Sequence, residues 1–321
     1  MTYEDDAVAS LWARRARWAR AADAGKRRAD RARTAVLNLG GAGAIAAAMT
    51  ATILRTSGLP QLVVTTIGAI CLAVATFLTA HFLTPAEFRR WSRARAVAES
   101  IKQVIYRFRA RAHPFLGDSA LPNLYRAIAE IEENAEDLLP YMTENAPDST
   151  SRGDTQRPDT AAPPPLTPED YVVLRVQHQI THYYQHRAQN SARRARRLRR
   201  WTLMLGLAAT VLASVAAVLA GTATVSTPTS PASALTPWVA ALTTLSAGVA
   251  GHLTGRRYEF LVMTYSATAR RLQQLLQEWR AQGAPTDDQR WTAFVDNCEN
   301  IIAAENQTWV AKWAEEPPDH R

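Results

Sequence analysis

Four stretches of this chain, residues 34–54, 62–83, 201–221 and 237–254, contain no Lys, Arg, Asp or Glu, although those four types make up 21% of the sequence. A helix of about 20 apolar residues spans roughly 30 Å of hydrocarbon, so the first three stretches are long enough to cross a bilayer and the fourth is borderline. Inside a membrane the backbone has no water to bond, so each stretch must close its hydrogen bonds as a helix. The connections at 55–61 and 222–236 then turn the chain back at the far surface. The expectation is an all-α membrane protein with four transmembrane helices arranged as two hairpins.

Charge predicts the orientation. Of the 37 Lys and Arg residues, only Arg55 lies in a hairpin tip. The excess of positive charge on the other side places both termini and the central segment in the cytoplasm, with the protein multi-pass in the cell membrane. The first stretch is longer than a secretory signal core and follows a strongly charged segment, so it is read as a retained anchor. A net charge of +8 could suggest nucleic acid, but the basic residues crowd beside the spans. Arg27, Arg28, Arg31 and Arg33 precede the first. Arg193, Arg194, Arg196, Arg197, Arg199 and Arg200 precede the third. Arg89 and Arg90 follow the second, and Arg256 and Arg257 follow the fourth. Such girdles fix topology and attract anionic lipid head groups, at about 1 kcal/mol per residue near the surface. Membrane lipids are therefore the expected partner, and nucleic acid is not. Cys71 falls in a span and Cys298 in a cytoplasmic segment, so no disulfide framework is expected.

The sequence is also a duplication. Arg27, Arg28, Ala29, Arg31, Arg33, Leu37, Leu39 and Gly40 recur as Arg193, Arg194, Ala195, Arg197, Arg199, Leu203, Leu205 and Gly206. After the second span, His81, Ala96, Ala98, Arg109 and Ala110 recur as His252, Ala267, Ala269, Arg280 and Ala281. The apolar pattern Ile101, Val104, Ile105, Phe108 falls on Leu272, Leu275, Leu276, Trp279, independently of the Ala and Arg bias. Residues 4–143 and 169–315 are read as two copies of one unit, joined by a mobile Pro/Ser/Thr-rich linker at 144–168. Each copy reads as a cytoplasmic helix, a membrane hairpin, and two further cytoplasmic helices. No Gly or Pro lies between Glu87 and Arg111, so the second span is expected to run on into the cytoplasm as one rod. The third helix carries Leu124, Ile128, Ile131, Ala135, Leu138 and Met142 at steps of four and three, a coiled-coil-like seam wanting a partner. Its counterpart carries Phe294, Cys298, Ile301, Ile302, Trp309 and Trp313.

Few residues suggest chemistry. His178, His182 and His186 recur every four residues on one helix face, but a single ion cannot reach all three, and the first copy has Trp12, Ala16 and Arg20 in their place. A solvated or packing face is the expected role, and no metal is predicted. Gly40, Gly41 and Gly43 follow no strand, so they suit close helix contact rather than a phosphate loop, as do Gly248 and Gly251. The acidic run from Glu130 to Asp137 is expected on the exposed side of the seam helix. No metalloprotease, CxxC or nucleophile-elbow motif is present, so the reading is a non-enzyme with no cofactor. The polar residues within the spans are the candidates for lining a water path: Asn38, Thr66, Thr79, Thr210, Ser214 and Thr244, with His81 and His252 at the cytoplasmic mouth in both copies.

These features resemble the SLATT domains, bacterial two-transmembrane modules found with nucleotide-signal synthases and sensors in defence loci. In the second half the resemblance is carried by 193–207, the span to Gly255, Tyr258-Glu-Phe-Leu, Ala267-Thr-Ala-Arg-Arg-Leu, Cys298-Glu-Asn, Glu305-Asn306 and residues 309–313. In the first half it rests on Arg89-Arg-Trp, Ala96–Ala98 and Phe108-Arg-Ala-Arg-Ala. It implies a pore-forming effector that permeabilises its host's membrane, with a cytoplasmic sensor or nucleotide-signalling partner. Four spans so rich in Ala, Gly and Thr can pack tightly but enclose little room, so a conducting form is expected to be a homo-oligomer. The competing expectation is a non-conducting membrane scaffold that recruits a partner through its seam helices.

Overall fold

The computed structural model describes residues 2–54, 58–145, 161–222 and 231–314, and among these there is no strand. The first helix, α1 (Tyr3–Thr52), joins the charged N-terminal segment and the first span in one rod. Its start is fixed by a reciprocal cap. Asp5 N donates to Thr2 Oγ1 at 3.3 Å, and Thr2 N donates to Asp5 Oδ2 at 3.2 Å. The second copy opens on the same device at α6 (Pro168–Asp170), where Asp170 N donates to Thr167 Oγ1 at 3.1 Å and Thr167 N to Asp170 Oδ2 at 3.4 Å. From cap to arginine girdle, Thr167 to Arg193 is one residue longer than Thr2 to Arg27. The helix takes up that residue through π-helical turns at Tyr171–Gln177 and Gln179–Gln185 before continuing as α7 (His186–Thr222). The wider i→i+5 turn accommodates an extra residue without breaking the rod.

The rods and breaks therefore fall opposite to expectation. It is the first span of each copy, not the second, that continues a cytoplasmic helix. The second span of the first copy, α2 (Leu59–Phe82), stops before α3 (Pro85–Arg109). Pro85 has no N–H to donate and disfavours helical backbone at Thr84, so the chain restarts there. In the second copy α8 (Pro231–Gly255) gives way to α9 (Tyr258–Ala281) at Arg257, whose φ is +47°. The helix α8 begins six residues earlier than the sequence suggested, with Pro237 inside it. A membrane helix tolerates the lost backbone bond because neighbouring groups can satisfy the freed carbonyl.

The helices group into two compact units, and each draws on both copies. Of the described residues, one contains 2–27, 85–145, 161–188 and 262–314; the other contains 28–54, 58–84, 189–222 and 231–261. In the first, α3 packs against α4 (Ala120–Glu133) and against α10 (Asp288–Ala314) of the other copy. The apolar stripe Ile101, Ile105 and Phe108 is buried, as are Phe294, Cys298 and Ile302 of the facing seam. Trp291 Nε1 donates to Ala110 O at 2.7 Å. The first seam is not one helix: α4 ends at Asn134, a 3₁₀ turn covers Glu136–Leu138, and α5 (Leu139–Asn145) follows. Leu124 and Ile128 are fully buried and Ala135 and Leu138 are buried too, but Ile131 between them is only half-buried, so the seam is driest at its first two turns and loosens at Ile131. Glu132 is not on an exposed face either; it pairs with Arg14 and accepts from Trp18 Nε1 at 3.3 Å. Most of the linker lies outside the described residues, but its last part is docked. Leu166 is buried, and its N–H donates to Arg109 O at 3.0 Å.

The second unit holds the four apolar helices, each long and apolar enough to cross a membrane. Small residues set their spacing. A Cβ at Gly43 would sit 2.9 Å from Leu72, one at Gly41 2.8 Å from Leu245, and one at Gly248 3.2 Å from Leu37. So α1 lies close to both α2 and α8, as small-residue membrane interfaces require. Ser246 Oγ donates to Thr202 O at 3.2 Å and joins α8 to α7. The large apolar side chains, including Leu62, Ile67, Ile70, Phe77, Leu203 and Leu207, are exposed on the outside. That outward apolar surface is what a lipid solvent requires.

Candidate functional site

Between α1, α2 and α8 lies a cavity of about 390 Å³. Helical spacing builds it: Arg33, Leu37, Gly40 and Gly41 lie on one face of α1, Thr244, Gly248, Gly251 and His252 on one face of α8, with Thr79 on α2 and Leu83 at its C-cap. Arg33 to Gly41 is eight residues, which at 1.5 Å per residue gives a length of about 12 Å. Gly40 and Gly251 border its open space, since a Cβ at either would meet nothing within 4 Å.

The cavity is polar at one end. There Asp30 accepts from Arg256 at 2.7 Å and lies 3.9 Å from Arg33, so two guanidiniums, one from each copy, share one carboxylate. Burial, reinforced by the neighbouring charge of Arg256, pulls the Arg33 guanidinium below its ordinary value. His252 stands one turn before Arg256, and its Nδ1 is buried with no hydrogen-bond partner.

Three of the eight residues predicted to line a water path, Thr79, Thr244 and His252, meet at this cavity. The rest do not. Asn38, Thr66, Thr210 and Ser214 are exposed on the outer surface of the helices. The hydroxyls of Thr66, Thr210 and Ser214 donate to the carbonyl four residues back. His81, the duplicate of His252, is also exposed, stacked on Phe77 at 5.6 Å and edge-on to Phe82 at 4.7 Å. The two histidines share a sequence position but not an environment.

Of the fourteen arginines in the girdles, Arg27, Arg28, Arg31, Arg89, Arg90, Arg193, Arg194, Arg196, Arg197, Arg199 and Arg200 are exposed. Arg90 pairs with Glu87 at 2.8 Å, and Arg199 pairs with Glu259. Arg33, Arg256 and Arg257 are half-buried. Asp30, which gathers two of these three, carried no signal in the sequence beyond its place among the arginines.

The other unit contains a buried ionic core that spacing alone did not reveal. Glu299 of α10 accepts from Arg175 Nε at 2.9 Å, from Arg175 Nη2 at 2.7 Å and from the Tyr171 hydroxyl at 3.0 Å. Arg175, on the π-helical stretch, also lies 4.2 Å above the Tyr106 ring of the first copy. Nearby, Arg95 donates to the Tyr183 hydroxyl at 2.6 Å. Burial would raise Glu99, but Lys102, Arg95, Arg15 and Arg175 outweigh it and hold the carboxyl below its usual value. Burial pushes the phenols of Tyr171, Tyr183, Tyr184 and Tyr265 upward. These contacts tie the two copies together. His178 and His182 stack at 4.7 Å, and among the described residues no group of three or more His, Cys, Asp or Glu could hold a metal ion.

Comparison with known families gives one match for each copy. The SMODS and SLOG-associating 2TM effector domain 3 model matches residues 18–159, and the domain 1 model matches residues 171–309. No curated protein and no solved structure matches the chain. The matched segments take in both hairpins, the buried Arg175–Glu299 pair and the cavity. The chain therefore belongs to the SMODS and SLOG-associating 2TM effector (SLATT) family, a family of membrane effectors of defence systems, and carries two such domains in tandem.

Proposed function

We propose that the chain is a non-enzymatic effector that permeabilises its host's membrane as an assembly of several copies, with both termini cytoplasmic and a nucleotide-signalling or sensor protein as its trigger. The observation that carries this reading is the distribution of polar groups on the membrane helices. The internal cavity extends about 12 Å, well short of the roughly 30 Å of hydrocarbon, so a water path within one chain is not favoured. Meanwhile Asn38, Thr66, Thr210 and Ser214 point outward. An amide facing lipid is costly and is relieved by a polar partner on another helix. Contacts between copies would bring these groups together and could line a path at the interface. The exposed arginines then sit against anionic head groups at the cytoplasmic surface.

The test reconstitutes the purified full chain into vesicles of equal parts phosphatidylglycerol and phosphatidylcholine. Dye leakage and particle mass are then measured for wild type and Asn38→Leu. The expected result is leakage from a multimer, weakened by the substitution. A monomer in vesicles that stay sealed would refute the permeabilising assembly and favour the scaffold reading, in which the cytoplasmic helices recruit another protein.

A further inference from the structure

We propose that the cavity between α1, α2 and α8 is a binding site for one acyl chain of an anionic lipid, whose head group is held at Arg33 and Arg256. The walls and the mouth ask for different chemistry, and one amphiphile satisfies both. Val36, Leu37, Leu83 and Leu245 line the interior beside glycines, giving water few partners there. The volume, about 390 Å³, lies within the range of small-molecule sites. An unfilled space of this size beside lipid tails forfeits dispersion contacts that a methylene chain would restore.

Beside the lining residue Arg33, Arg256 pairs with Asp30 at 2.7 Å and Arg33 lies 3.9 Å from the same carboxylate, so two positive charges meet one negative charge at this end. A phosphate would supply further acceptor oxygens where positive charge is in excess. The buried, unpartnered Nδ1 of His252 lies on the same lining. An orphaned polar atom in a cavity calls for an explanation, and a head-group oxygen or glycerol hydroxyl supplies one. The glycines complete the case. Gly41 and Gly248 hold the helices together, whereas a Cβ at Gly40 or Gly251 would point into open space, where a chain would fit.

The site reaches beyond the permeabilising role and is tested without any measurement of current. The full chain, stripped of lipid in mild detergent, is titrated with dioleoyl phosphatidylglycerol, dioleoyl phosphatidylcholine or inorganic phosphate, and bound ligand is counted by native mass spectrometry. Wild type is expected to retain one phosphatidylglycerol per chain and to discriminate against phosphatidylcholine. Arg33→Gln with Arg256→Gln should reduce that discrimination by about thirty-fold, from two guanidiniums near the head group. Gly251→Leu and Gly40→Leu should each abolish retention by filling the space, while helical circular dichroism stays normal because leucine favours helix over glycine. Unchanged retention in both folded leucine variants would overturn the proposal. Equal retention of the two lipids by wild type would overturn the head-group assignment. Displacement of bound lipid by inorganic phosphate would overturn the acyl site in favour of a soluble anion.

Discussion

Removing the carboxylate of Glu299 should be the most damaging single truncation in the cytoplasmic helices. Glu299 is fully buried and Arg175 is 2% exposed, so Glu299→Ala leaves a guanidinium in the interior with its main counter-charge gone, and the Tyr171 hydroxyl without its acceptor. Breaking a buried ion pair from one side costs about 3–5 kcal/mol. For a cooperative unit of this size, each kcal/mol moves the melting midpoint by roughly 2–4 °C, so a drop of about 6–20 °C is expected. Differential scanning fluorimetry of the full chain in detergent reads it. The companion variant, Arg175→Met with Glu299→Leu, removes both charges and should regain most of the loss, because an apolar pair of similar volume needs no compensation. The reasoning is refuted if Glu299→Ala shifts the midpoint by less than about 2 °C, or if the double variant melts no higher than the single one.

Three further outcomes follow from features already described. Tyr171, Tyr183, Tyr184 and Tyr265 have raised folded-state values because they are buried, so above about pH 10 the unfolded chain releases phenolic protons that the folded one keeps. Stability should be flat below that pH and fall as pH rises through it; a midpoint unchanged to pH 11.5 would contradict the burial. Ile128→Asp should destabilise by several kcal/mol, and Ile131→Asp by distinctly less, since only Ile128 is fully buried; equal midpoints by thermal melting would show the seam to be continuous after all. In a cysteine-free background, a cysteine at Thr155 should resist a membrane-impermeant thiol reagent in intact cells, while one at Ser57 should react. The reverse pattern would invert the topology and defeat the charge argument.

The spans were legible because their physics is one-dimensional: twenty residues without charge can do little but cross a bilayer. The duplication was legible for the same reason, as side-chain type recurring at fixed steps. The pieces that organise the site were not. The stretch from Glu87 to Arg111 holds no breaker and reads as a continuation of α2, but Pro85 lies just before it and ends the rod. The Thr-x-x-Asp caps at Thr2 and Thr167 were missed because they recur at a step one residue shorter than the arginine girdles, and only the π-helical turns account for the difference. Gly40, Gly41, Gly43, Gly248 and Gly251 all read as contact glycines, yet Gly40 and Gly251 face open space and differ from the others only in what lies opposite, which no local pattern encodes. The Glu299–Arg175 pair joins positions 124 residues apart. The sequence marked Glu299 only as part of Cys298-Glu-Asn, with no hint that it is a buried counter-ion.

Because each unit is assembled from helices of both copies, one copy alone would leave faces uncovered: α3 would lack α10, Arg175 would lack Tyr106, and α1 would lack α8. Two separate half-chains would have to meet in the plane of the membrane before either had a complete core, and their yield would rise with the square of their abundance at low expression. Covalent linkage replaces that encounter with an intramolecular one, at an effective concentration that short connections place in the millimolar range. The fused chain thus covers these faces within a single molecule. Under the proposed permeabilising role, any dependence on dose would arise from association between whole chains, with a single concentration threshold between the lone chain and its assembly.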